Sequence, residues 1–262
     1  MMENYALVTG ASKGIGREIA LQLAQLGYPL LLVSRNDAEL SLLAASVERD
    51  YKVKALWLAV DLSTSNGAQQ VANWCESESF KIEILINNAG YGLWGNFDTL
   101  DLEAQLNMIS LNVTAQVALT SLLLPLLKQA GQGYILNVAS TSAYQAVPTL
   151  AVYAATKSFM LSFSRALSYE LRDSPVSVSC LSPGPTDTDF THRAGLDALK
   201  DLADKFNMSP TVVAKIALKG MFKKKVEILP GFLNAAGAKL VAFVPKRLIE
   251  KAIGKLYKVP GK

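Results

Sequence analysis

Seven short apolar runs, almost unbroken by polar residues, recur along this chain with stretches of helical period between them. They occupy residues 5–9, 30–34, 55–60, 82–86, 134–137, 176–181 and 226–229. A strand with one wet face alternates apolar and polar residues. One that does not alternate is buried on both faces, as in a parallel sheet covered by helices. Helical periodicity fills the intervals, at residues 15–26, 38–49, 67–75, 102–127, 152–171 and 210–222. Such alternation, joined by right-handed crossovers, predicts an α/β, Rossmann-like doubly wound sheet of about seven parallel strands with helices on both faces. No repeat, low-complexity tract or linker divides residues 1–262, so the whole chain reads as one domain. Half of its residues are hydrophobic and 18% are charged, enough apolar material for a sizeable core.

The first strand runs into Thr9-Gly10-Ala11-Ser12-Lys13-Gly14-Ile15-Gly16, and a helix opens directly after it. Three glycines let the backbone turn sharply and approach a pyrophosphate seated on the helix N-terminus. A plain strand-to-helix turn is the alternative, but a position between the first strand and first helix is the context a dinucleotide-binding loop requires. Farther along, Tyr153 and Lys157 stand four apart within a helical stretch, which stacks them on one face. A phenol with its usual pKa of about 10 is a poor acid or base near neutrality. A neighbouring ammonium favours the phenolate and predicts a lowered value.

These features resemble the short-chain dehydrogenase/reductase family in its compact single-domain type. The glycine loop is spaced TGxxxGxG, and further matches fall in the family's order: Asn87-Asn88-Ala89-Gly90, Asn112 in Leu111-Asn112-Val113, Ser140, Tyr153 with Lys157, Pro183-Gly184 and Thr188. The resemblance covers roughly residues 5–190 strongly and the rest weakly. It implies an NAD(P)-dependent oxidoreductase acting on CH–OH donors, with Tyr153 as proton donor or base and Lys157 lowering its pKa and holding the nicotinamide ribose. It further implies that Ser140 polarises the substrate oxygen and that Asn112 anchors a water linking Lys157 to solvent. Cofactor contacts are implied at Gly10, Ser12, Lys13, Gly14, Ile15, Gly16, Asp61, Leu62, Asn88, Ala89, Gly90, Pro183, Gly184 and Thr188. Structural alternatives stand beside these roles. Ser140, Thr141 or Ser142 could simply cap the next segment, and Asn112, Asn87 and Asn88 could simply bond to backbone or tie strands together.

Cofactor choice turns on the end of the second strand. Ser34 stands where an NAD-selecting carboxylate is expected, and Arg35 follows it. A guanidinium offers paired donors to a 2′-phosphate, and Lys13, inside the glycine loop, could reach the same phosphate, so NADP is expected over NAD. Asp37 is the counter-argument, although it suits the start of the next helix.

Residues 185–208 are long for a strand-to-helix connection and read as a substrate lid, with Thr186, Asp187, Phe190, Phe206 and Met208 as candidates. Tyr91, Leu93, Trp94, Tyr144 and Pro148 are candidates for an apolar pocket, suited to a ketoacyl, steroid-like or small ketone substrate. The alternative to an enzyme is a catalytically silent NADP-binding sensor or scaffold, against which the presence of both Tyr153 and Lys157 counts. An epimerase or dehydratase on the same fold is disfavoured because the length leaves no large added substrate domain.

Charge is unevenly placed. Residues 1–211 hold 14 Lys/Arg and 20 Asp/Glu, whereas residues 212–262 hold 12 and 2. Residues 223–262 therefore form a basic C-terminal extension, and Lys246 to Leu256 reads as an amphipathic helix. Its apolar stripe could pack on the body or a sister subunit, or its cations could make weak contact with an anionic membrane or an acidic carrier. It lacks aromatics interleaved for base stacking, so nucleic acid is not expected. Cys75 and Cys180 match no paired motif, His192 is alone, and no cluster has metal-ligand spacing. No basic, apolar leader precedes the first strand, and the apolar run 119–127 is short and carries Pro125. These points predict no metal and a cytoplasmic protein, and the resemblance implies a homodimer or homotetramer.

Overall fold

The computed structural model describes residues 4–186, 194–195, 207–257 and 259, apart from the side chains of Lys239 and Ala242. Seven strands form one sheet in the order β3-β2-β1-β4-β5-β6-β7, every pair parallel. They are β1 (Asn4–Thr9), β2 (Leu30–Ser34), β3 (Ala55–Ala59), β4 (Lys81–Asn87), β5 (Gly133–Val138), β6 (Val176–Leu181) and β7 (Glu227–Ile228). The expected apolar run at 226–229 yields only a two-residue strand. The order reverses between β1 and β4, and in such sheets ligands bind beyond the carboxyl ends of the strands at that switch.

Helices cover both faces. α1 (Gly14–Gln25), α2 (Asp37–Tyr51) and α7 (Pro210–Phe222) pack on one; α3 (Gly67–Ser77) and α5 (Ala115–Gln129) pack on the other. Along β1, Ala6 and Val8 join the first layer while Tyr5 and Leu7 join the second, which is why the strand reads as an unbroken apolar run. Leu7, Leu31, Ile84 and Ile86 are completely buried, and each such side chain contributes about 1.5–3 kcal/mol relative to exposure. Local chemistry sets the helix starts. Asn36 accepts from the Glu39 N–H at 3.2 Å to cap α2, and Asp101 accepts from the Ala104 N–H at 2.8 Å to cap α4 (Leu102–Ile109). Asp37 is thus the first residue of α2, with Asn36 as its cap.

Two departures from the expected pattern matter. The stretch predicted as one helix over 102–127 is α4 and α5 joined by a π-helical turn, Ser110–Thr114, closed by the Ala115 N–H on the Ser110 carbonyl. The turn places Asn112 wholly in the interior, and such single-turn insertions are frequent at functional positions. By length and apolar content the continuous run Leu102–Gln129 is sufficient to cross a membrane, yet Leu119, Leu123 and Leu127 are completely buried against the sheet. The second departure is a row of buried amides in an otherwise apolar sandwich. Asn87, paired in register with Asn137, donates to Asn137 Oδ1 at 2.9 Å and Thr120 Oγ1 at 3.0 Å, and Asn137 donates to Ser164 Oγ at 2.9 Å.

The C-terminal region adds α8 (Phe232–Leu240), a 3₁₀ turn (Val241–Phe243) and α9 (Lys246–Leu256), the last with the bounds expected from its periodicity. α6 (Ala151–Glu170) completes the described helices.

Candidate active site

A cavity of about 1350 Å³ opens along the carboxyl ends of the strands, across the β1–β4 switch. Its floor at one end is the glycine loop. Gly10 and Gly14 adopt left-handed φ values of 63° and 56° that favour glycine. Gly10, Ser12, Lys13, Gly14 and Ile15 all line the cavity, but Gly16 does not. A Cβ on Gly16 would stand 2.3 Å from the Gly10 carbonyl oxygen, so this glycine permits the tight loop from behind and is not a wall residue. Asn88 donates to the carbonyls of Thr9 at 3.0 Å and Gly10 at 3.2 Å, tying β4 to the loop while also facing the cavity. Unlike α2 and α4, α1 has no side-chain cap and no acid in its first turn, leaving its N–H groups for an anion.

Ser34, Arg35, Asp61, Leu62, Ala89 and Gly90 continue the wall. Ser34 Oγ is buried without a hydrogen-bond partner, an orphan that a ribose or phosphate oxygen would satisfy. The two expected cations already face carboxylates: Lys13 Nζ lies 3.1 Å from Glu39, and an Arg35 nitrogen lies 3.8 Å from Asp61. Burial pushes the Asp61 carboxyl up, but the Ser63 N–H and O–H and the Arg35 cation outweigh it and hold the group below its usual range. Asp37, the expected counter-argument, is engaged by the Trp57 indole at 2.9 Å, and both it and Glu39 line this end.

At the other end the cavity is walled by Ser140, Tyr153 and Lys157, with Pro183 and Gly184 beside them. Ser140 Oγ accepts from the Ser142 N–H at 3.1 Å, so it caps the following turn, and it also shares a hydrogen bond with the Tyr153 phenol. Helical spacing brings Lys157 Nζ within 5.8 Å of the Tyr153 ring centroid, while it donates to the Val138 carbonyl at 2.9 Å. The expected lowering of the tyrosine is reversed. Burial pushes the Tyr153 hydroxyl up to about 12, Ser140 pulling it down and Tyr257 adding to the rise. Burial likewise lowers Lys157 to about 8.

Asn112 is not on the wall; it stands behind Gly90, whose added Cβ would meet Asn112 Oδ1 at 2.8 Å and Lys157 Nζ at 3.4 Å. Its amide donates to the Tyr91 carbonyl at 2.9 Å and Thr156 Oγ1 at 3.1 Å, and its oxygen accepts from the Tyr91 N–H at 3.1 Å. Thr156 in turn donates to the Tyr153 carbonyl at 2.7 Å, a link that the sequence reading missed.

Of the substrate-side candidates, Tyr91 lines the cavity, Leu93 and Trp94 pack behind it around Met108 and Leu150, and Pro148 sits beneath α9. Tyr144 turns away to a separate cluster, donating to Glu227 at 3.1 Å, and is not a pocket residue. Thr186 is on the wall; Met208 pairs with it in an isolated parallel bridge. Thr188, Asp187, Phe190, His192 and Phe206 lie outside the described residues, as does most of the 185–208 segment. Asn234, Leu256 and Tyr257 from the basic extension also reach the cavity, which sequence reasoning did not foresee. The Tyr257 carbonyl accepts from the Trp94 indole at 3.1 Å and Thr149 Oγ1 at 3.0 Å. The amphipathic stripe through Ile253 and Leu256 was the available signal.

Residues 4–198 match the family described as short chain dehydrogenase. The chain belongs to this family. It is 36% identical over 180 residues to a very-long-chain 3-oxoacyl-CoA reductase of Laccaria bicolor, covering 68% of this chain and 53% of that protein. An uncharacterized oxidoreductase of Staphylococcus epidermidis is 32% identical over 208 residues, covering 77% of this chain and 88% of that one. The dehydrogenase thus spans about half the length of the first relative but most of the second. Among solved structures, a short-chain dehydrogenase from Sphingobium yanoikuyae in complex with NADPH superposes with a TM-score of 0.81 at 30% identity, covering 92% of this chain and 96% of that one. The chain thus belongs to an oxidoreductase family, and its relatives include 3-oxoacyl-CoA reductases and a dehydrogenase solved with NADPH. Among the described residues no group of acidic, His or Cys side chains is placed to hold a metal.

Proposed function

We propose that this dehydrogenase is NADP-preferring and interconverts an apolar ketone and its secondary alcohol. The reading is carried by one observation: Tyr153, Ser140 and Lys157 share a single cavity wall with the glycine loop and Arg35. The nicotinamide, when bound, supplies or accepts the hydride. Tyr153 gives its proton to the substrate oxygen as that oxygen gains negative charge, or takes it back in the alcohol direction. A phenol held up to about 12 remains protonated at neutral pH and so acts as the acid in reduction. Ser140, already tied to the Tyr153 phenol, holds the same oxygen by hydrogen bonding. Lys157 stands over the ring as a cation that stabilises the phenolate left behind, and is suited to hold the ribose. Asn112, fixed by three hydrogen bonds, is a positioning residue for Gly90 and, through Thr156, for Tyr153.

The preference for NADP rests on Arg35 and the orphaned Ser34 hydroxyl at the ribose end. A 2′-phosphate would compete with Asp61 for a guanidinium now 3.8 Å away. NADPH is expected to bind at least tenfold tighter than NADH, and Arg35→Ala to weaken NADPH by about ten- to a hundredfold while sparing NADH, since hydrogen bonds to charged groups are worth about 1.5–3 kcal/mol. Isothermal titration with both nucleotides checks this, and equal affinities in the parent protein would defeat the preference. Following NADPH oxidation across β-ketoacyl thioesters, steroids and small ketones tests the substrate class. Exposed Leu102, Leu106 and Phe159 on α4 and α6 support homodimer or homotetramer formation, and cytoplasmic residence completes the reading.

A further inference from the structure

The surface changes character between residues 232 and 256. Phe232, Leu233, Leu240, Phe243, Leu248 and Leu256 are exposed on two consecutive helices and the turn joining them, Phe232 and Phe243 at 85%. Single exposed apolar side chains are ordinary, but six within 25 residues mark an interaction surface. The same segment exposes Lys246, Arg247, Lys251 and Lys255, and Lys223, Lys224 and Lys225 are exposed just before β7. Glu227 and Glu250 are the acids of residues 212–262, and Glu227 is already paired with Arg165 at 3.2 Å.

Packing on the body accounts for only part of α9. Ile253 and Tyr257 join the cluster around Met108, Val147 and Leu150, which anchors the helix without help from a partner. Leu248 and Leu256 remain exposed beside the lysines. A helix with cations on one flank and unpaired apolar side chains on another suits a membrane interface, where the apolar groups sink to the acyl boundary and the cations meet lipid phosphate. Self-association through this face would set two strongly cationic segments against each other, a like-charge contact that disfavours a second copy. The cavity provides continuity, because Asn234 of α8 and Leu256 of α9 line it together with Tyr153.

We propose that residues 232–256 seat this protein on an anionic lipid bilayer, with the substrate cavity opening beside the lipid. The docking is independent of catalysis; only the supply of substrate from the bilayer rests on the apolar-ketone reading above.

The test is co-sedimentation of the full chain with vesicles of phosphatidylcholine alone and of phosphatidylcholine with phosphatidylserine, at low and high salt. The protein is expected to pellet with the anionic vesicles at low salt and to be released by high salt. The double substitution Lys251→Ala with Lys255→Ala should lower the partition coefficient about twenty-five-fold, at roughly fivefold for each lysine near the surface. Phe232→Ser with Phe243→Ser should lower it comparably while NADPH binding is unchanged in both. No excess pelleting with anionic vesicles, or pelleting indifferent to both double variants, would overturn the proposal. So would a smaller oligomer for the phenylalanine variant in vesicle-free solution, which would assign the face to chain–chain contact. Turnover of a water-soluble ketone in parallel separates this outcome from failure of the catalytic reading.

Discussion

At the dinucleotide end of the cleft, the wall comes from backbone turns and residues within a few positions of a strand end: Gly10, Gly14, Ser34, Asp61 and Asn88. At the carbonyl end it is assembled across the whole chain, and one of its hydrogen bonds, from Trp94 to the Tyr257 carbonyl, spans 163 positions. The first end therefore depends on local conformation and tolerates little change in backbone; the second depends on packing between distant segments and can be reshaped one side chain at a time. A constant cofactor and a variable substrate make matching demands on a single cleft.

Tyr153→Phe gives the largest expected effect, confined to one end. Removing the proton should cut kcat by about a thousandfold with any carbonyl substrate, in the middle of the range for general acid catalysis. NADPH affinity, measured by titration, should hardly move. Retained turnover would erase the functional boundary between the two ends.

The pH dependence comes next. Burial lowers Lys157 from 10.5 to about 8, so its charge is half lost near pH 8, and kcat/KM for reduction should fall about tenfold per pH unit above that. The same shift acts oppositely on stability. The unfolded chain keeps this proton up to the higher value, so between about pH 8 and 10.5 this group makes the folded state more stable as pH rises. Activity declining while this contribution to stability grows is the expected signature; a flat kcat/KM profile to pH 10 would break it.

Gly90→Ala probes the point where the two ends meet. Its Cβ would crowd Asn112 Oδ1 at 2.8 Å and Lys157 Nζ at 3.4 Å. Such overpacking should cost about 1–3 kcal/mol in denaturant titration and lower kcat as Lys157 is displaced. Ile253→Ser should have the smallest effect. Loosening α9 should raise KM for an apolar ketone a few-fold without touching NADPH affinity, because the helix borders only the carbonyl end. Equal changes in both constants would mean that the tail supports the whole cleft.

Legibility in the sequence follows the same division. The glycine loop, the first six strand runs and the Tyr153–Lys157 spacing are local patterns, and the structure places a turn, six strands and a shared helix face there. Tyr257 and Asn234 join the cavity through contacts with segments far away in the chain; the stripe of α9 announces an apolar contact but not which segment it meets. Tyr144 was misassigned because an aromatic near Ser140 could face either side of the 3₁₀ turn Thr141–Tyr144, and its hydroxyl found Glu227 on the last strand. The direction of the Tyr153 shift was missed because spacing reveals a neighbouring cation but not the depth of burial that outweighs it.

The paired asparagines in the sandwich have a consequence for alignment. Sliding β5 by two residues against β4 would preserve which side chains face each layer, so oily strands alone discriminate poorly between such registers. Asn87 and Asn137 would then lose each other inside a dry interior, each orphaned amide costing about 1–3 kcal/mol. The pair works as a locating pin. By holding one alignment, it keeps the Asn88 clamp at the tip of β4, and the glycine turn that this clamp grips, at a constant spacing from the Ser140 hydroxyl beyond β5, suited to a ligand of fixed length.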